Sequence, residues 1–171
     1  MSDNLSLAQG ASIAFSSGAL AAGTTAGTIK STATITYTVD GRFYSKGATD
    51  NVSVAYTGPS VYQASAGGVQ SVNGAFTGSA GGSTRLYLIV LDASGNFSVV
   101  PGKIVNSADL AAGRVSLDFP DTPNLTCAVG AMRVALTAGT AFLPGTTALD
   151  ATGVTTTFLN LSTVPANPLT A

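Results

Sequence analysis

The chain has 171 residues, 45% of them apolar and only 9% charged, with seven basic residues against eight acidic ones, a net charge of −1 and no histidine. So much apolar character with so little charge excludes an intrinsically disordered chain, and the longest strictly apolar run, Leu86 to Leu91, falls far short of the ~20 residues a membrane-spanning helix needs. The basic residues Lys30, Arg42, Lys46, Arg85, Lys103, Arg114 and Arg133 are scattered, which leaves no basic stripe for counterion release from nucleic acid.

Ordinary globular proteins carry roughly 25% charged residues, and solubility favours a net charge of about 2 to 8 in magnitude. A monomer of this mass exposes roughly 7,700 Å², so the few charges sit about one per 500 Å². Much of that surface is expected to be covered by other copies or by another protein. A homo-oligomer, dimer or trimer, is the expectation.

Residues 1–30 are Ala, Gly, Ser and Thr with isolated apolar side chains at Leu5, Leu7, Ile13 and Phe15. Alone, such a stretch does not offset its ordering entropy. It reads as an extended arm that lies on a neighbouring subunit through those four anchors, followed by a single β domain over 31–171. Asp3 stands where a secretory leader needs basic residues, and the first Lys is residue 30, so synthesis in the cytoplasm is expected.

From Thr32 the pattern has period two: Ala33, Ile35, Tyr37 and Val39 face one way, and Thr32, Thr34, Thr36 and Thr38 the other. Asp40-Gly41 predicts a tight type I′ turn, with a return strand over Arg42 to Lys46. A threonine face suits a pleated sheet and packs against a partner without desolvating charge. Val52 to Tyr56, Val61 to Ala64 and Gly74 to Thr77 read as short strands in a Gly-punctuated region. Residues 85–102, "RLYLIVLDASGNFSVVPG", form a second hairpin, turning through Ala93 to Gly95. Ser107 to Ala112 predicts one helical turn with Ser107 as N-cap. Strands are then expected over Val115 to Phe119, Gly130 to Leu136 and Thr155 to Leu161. Seven to nine short strands at close intervals predict an all-β fold, an antiparallel β-sandwich or barrel-like domain of jelly-roll or Greek-key type.

No catalytic constellation emerges. Without histidine the nucleophile–His–Asp arrangements and His-bearing metal sites are absent. The acids are all Asp, at positions 3, 40, 50, 92, 109, 118, 121 and 150, most beside turn-forming residues. "DASGN" at 92–96 imitates the start of a calcium loop, but the bidentate Glu that completes such loops is missing. The Gly-rich "SAGGSTR" and "ASAGGVQ" lack the P-loop pattern. Cys127 is the only cysteine and reads as a small buried hydrophobe. Tyr37, Phe43, Tyr44, Tyr56, Tyr62, Phe76, Tyr87 and Phe97 fit cross-strand packing better than a sugar platform. No enzyme activity, metal or cofactor is expected.

"YTVDGRFYSKG", "LYLIVLDASGNF" and the closing "FLPGTTALDATGVTTTFLNLSTVP" (142–165) together resemble a group of small tailed-bacteriophage virion proteins of the sort encoded near capsid genes. Most of residues 30–165 is covered. Gly145, Gly153 and Phe158 match the closing pattern, although Tyr is commoner at the position of Phe158. The resemblance implies a decoration or cement protein on the outer surface of the assembled head, with the major capsid protein as partner and the virion as its location. Two other readings stand beside it: a tail or fibre component that binds a host surface through its aromatic residues, and a carbohydrate-active enzyme with two essential Asp residues.

Overall fold

In the computed structural model, residues 11–56, 58, 62–65, 68–71 and 74–162 are described, 62–65 and 68–71 by their backbone alone. Strands dominate: β1 (Leu20–Ala22), β2 (Thr28–Ser31), β3 (Ile35–Val39), β4 (Arg42–Lys46), β5 (Thr49–Ser53), β6 (Tyr62–Ser65), β7 (Gly68–Ser71), β8 (Phe76–Thr77), β9 (Ser83–Asp92), β10 (Phe97–Asn106), β11 (Thr126–Leu136), β12 (Ala141–Phe142) and β13 (Val154–Asn160), with one short helix among the described residues, α1 (Ser107–Ala111). The protein is an all-β, antiparallel sandwich. One layer is the four-stranded sheet β10-β9-β11-β13; the other combines β1-β2-β5 with the β3–β4 hairpin and the small β8–β12 pair.

The long hairpin follows the expected pattern. In β9, Tyr87, Ile89 and Leu91 enter the core shared with the second layer, while Leu86, Leu88 and Val90 are also buried, on the other side of the sheet. A strand buried on both faces reads as a continuous apolar run rather than an alternation, which is why Leu86 to Leu91 is unbroken. Strand β11 takes its place beside β9 rather than beside its predecessor β10, so the connection from β10 crosses the end of the hairpin.

Several contacts lock the layers together. The Tyr37 hydroxyl donates to the Asp92 carbonyl at 2.9 Å, Leu20 packs on Gly130, and the Leu20 amide donates to Asn160 Oδ1 at 3.0 Å. The turn between β1 and β2 meets the 143–147 loop backbone to backbone: a Cβ on Gly27 would lie 2.6 Å from the Gly145 carbonyl carbon, and both glycines have positive φ.

Some expectations are corrected. Within residues 1–30, assigned to the arm, Leu20–Ala22 and residues 28–30 lie in strands β1 and β2 of the domain, with β2 held in the sheet by β5. The helix N-cap is Asn106, whose Oδ1 accepts from the Ala108 and Asp109 amides; Ser107 lies inside the helix with its hydroxyl on that of Thr84 at 2.7 Å. Val115 to Phe119 joins no sheet: both edges of β9 are occupied, and β10 is irregular between Pro101 and Ile104, where proline lacks a ladder donor. Arg85, counted among the scattered surface charges, is 1% exposed. Its position in β9 alternates with Tyr87 and Ile89, so it points into the core. There its guanidinium lies over the rings of Phe76 and Tyr87 and its Nε donates to the Gly102 carbonyl at 2.9 Å. Neither its Nη1 nor the Tyr87 hydroxyl has a hydrogen-bond partner among the described residues, and burial pulls the guanidinium below and the phenol above their ordinary ranges.

Candidate contact surface

The β3–β4 hairpin turns at Asp40 and Gly41 with φ of 49° and 73°, positive at both central residues as a type I′ turn requires. That turn fixes the register Tyr37↔Tyr44 and Thr38↔Phe43. Ile35, Tyr37 and Val39 enter the core, and the threonines take the opposite face, as the alternation predicts.

The arm meets that face in cis. Residues 13–15 lie antiparallel along the free edge of β3: the Ile13 amide donates to the Thr38 carbonyl (3.2 Å), the Thr38 amide to the Ile13 carbonyl (2.8 Å) and the Phe15 amide to the Thr36 carbonyl (2.8 Å). Ala14, bridged to Tyr37, is buried, which turns Ile13 and Phe15 to the threonine side. Thr38 closes this contact, its hydroxyl donating to the Ala11 carbonyl and accepting from the Ile13 amide. The Ser16 hydroxyl donates to the Thr34 carbonyl and accepts from the Thr36 amide.

Phe15 reaches across β3 and stacks on Phe43, with ring centroids 5.3 Å apart and planes at 20°. Phe43 stays 73% exposed, the most exposed of the large apolar side chains described. Of the aromatics expected in core or cross-strand packing, Phe43 packs across β3 on the outer face, while Tyr37, Phe76 and Tyr87 are buried and Tyr44 and Phe97 pack partly against the core. The surface therefore consists of Ile13, Phe15, Thr34, Thr36, Phe43 and Ser45, with no ionisable side chain among them. Of the four predicted anchors, Ile13 and Phe15 belong to this surface, and Leu5 and Leu7 lie outside the described residues. Phe43 is the residue the sequence reading missed; its signal was its place opposite Thr38 on the polar face of a hairpin whose turn was already identified.

Behind the sheet, burial first and then the nearby Asp92 push the Tyr37 phenol up, and burial lifts the Cys127 thiol to about 11. The Asp92 carboxylate closes its own turn, accepting from the Ser94 amide (2.8 Å), the Asn96 amide (2.8 Å) and Asn96 Nδ2 (3.0 Å). These bonds engage both oxygens of the Asp92 carboxylate within the "DASGN" turn. Among the described residues no three His, Cys, Asp or Glu side chains come together as a metal-binding group. The surface is an aromatic stack on a threonine sheet. No family model, curated protein or solved structure matches the chain.

Proposed function

We propose that this protein is a bacteriophage capsid decoration protein of the cement type, which binds the outer surface of the assembled head and stabilises it. The observation that carries the reading is the uncharged face of β3 and its neighbours, crowned by the Phe15–Phe43 stack, on a chain with very few charges. Docking such a face onto a protein shell removes apolar area from water without stripping any ion of its hydration, and the exposed aromatic ring is the natural anchor. The resemblance of the hairpin and closing segments to small phage virion proteins supports the same reading.

The test is co-sedimentation with assembled shells and with free capsid protein. Wild type binds shells and not free subunits. Full burial of a Phe side chain contributes about 1.5 to 3 kcal/mol, so Phe43→Lys, which also introduces a charge to be desolvated, raises Kd at least about tenfold while the melting temperature holds. Unchanged binding by a folded Phe43→Lys protein removes this face from the contact. Antibody labelling confined to the tail of intact virions would replace the decoration reading with the host-binding one.

A further inference from the structure

The segment between α1 and β11 carries a strand pattern without a strand partner. Val115, Leu117 and Phe119 alternate with Ser116 and Asp118, yet no N–H or C=O of residues 115–119 enters a backbone hydrogen bond among the described residues. Val115 is 40% and Phe119 52% exposed. A row of unpaired backbone groups beside alternating apolar side chains is a template for another strand. One edge of the segment is turned inward: a Cβ on Gly102 of β10 would lie 3.5 Å from the Asp118 carbonyl oxygen and 3.5 Å from Pro120 Cδ. The chain bends at Arg114 and Val115 and is not a strand in the isolated chain; drawn out as one, with the Asp118 carbonyl kept inward, it directs the backbone groups of Val115, Leu117 and Phe119 to the outer edge, because successive strand residues face opposite edges.

We propose that this outer edge pairs with the same edge of a second copy of the chain, antiparallel, with Leu117 on the two-fold axis. The occupant follows from self-complementarity. With Leu117 opposite Leu117, Val115 falls opposite Phe119, and these residues supply N–H and C=O groups on the facing edges. The apolar side chains of both copies then share one face. On the other face Ser116 falls opposite Asp118, and Arg114 lies diagonal to the partner copy's Asp118, within reach of a long side chain; symmetry makes this charge pair twice. Asp118 has no ion pair among the described residues, and Arg114 has only an exposed one, to Asp109 at 3.1 Å. Pro120 belongs to the inward edge, so its missing N–H costs the pairing nothing. An isologous contact of this kind closes as a dimer and does not propagate. The inference does not depend on the particle reading.

Sedimentation of the full-length protein tests it. Wild type sediments as a dimer, and Leu117→Pro, which deletes the N–H on the axis, sediments at half that mass with an unchanged melting temperature. Asp118→Arg sets like charges at both diagonals and raises the dimer Kd at least about tenfold; the combined Arg114→Asp and Asp118→Arg exchange restores it. Should Leu117→Pro fail to fold, the charge exchange decides alone. A monomeric or trimeric wild type, a Leu117→Pro dimer, or an exchange that restores nothing overturns the proposal.

Discussion

Tyr37→Phe deletes one hydroxyl from a side chain that is 1% exposed and ties the β3–β4 hairpin to the opposite layer. The lost interaction is the 2.9 Å bond to the Asp92 carbonyl. That carbonyl keeps the Gly95 amide at 3.1 Å, so the deletion orphans no buried acceptor. The cost is then the net worth of one neutral hydrogen bond, about 1 kcal/mol, and not the larger penalty of a stranded polar group. The ring stays, with its stack on Tyr44 at 5.7 Å, so no cavity opens. In a chain of this size about 1 kcal/mol lowers the melting temperature by roughly 2 to 4 °C. Thermal unfolding followed by circular dichroism measures it, with Tyr44→Phe as a control; the Tyr44 hydroxyl has no hydrogen-bond partner among the described residues, and its loss should leave the midpoint in place. A Tyr37→Phe protein that melts with wild type would show that apolar packing alone closes the sandwich at this end.

Gly41→Val places a β-branched residue at a φ of 73° and should cost at least about 1 to 2 kcal/mol, with a clear drop in the denaturation midpoint; an unchanged midpoint would refute the turn assignment. Cys127, fully buried and with its thiol raised to about 11, should label slowly with thiol reagents at neutral pH in native protein and quickly once unfolded; rapid native labelling would contradict its burial. Acid should destabilise the fold through Asp50 and Asp92. Hydrogen bonds from the Thr24 hydroxyl, the Thr24 amide and the Asn51 amide hold the Asp50 carboxyl below its ordinary value. At Asp92 burial pushes upward, but the donors from Asn96, Ser94 and Gly95 together bring it down. Because both folded values lie below the unfolded ones, their contribution is present above about pH 4 and is lost as pH falls through the depressed values. A melting temperature that stays flat from neutral pH down through that window would refute it.

Strand register, turn chemistry and core composition were legible in the sequence because each is decided locally. Alternation sorted Ile35, Tyr37 and Val39 from the threonines, Asp40-Gly41 set the turn, and the apolar run from Leu86 announced a strand without a wet face. The tertiary structure decided what depends on neighbours distant in sequence. Residues 1–30 looked too sparse to order themselves, yet for residues 11–30 the free edge of β3 and the β2–β5 pairing supply the partners that composition cannot show. Arg85 is buried because two aromatic rings and a carbonyl from β10 receive it. Val115 to Phe119 has the pattern of a strand and lacks a partner among the described residues, since a strand exists only where an edge is open to it. Phe43 shares the threonine face by alternation and register, but only the arm laid along β3 brings Phe15 onto its ring.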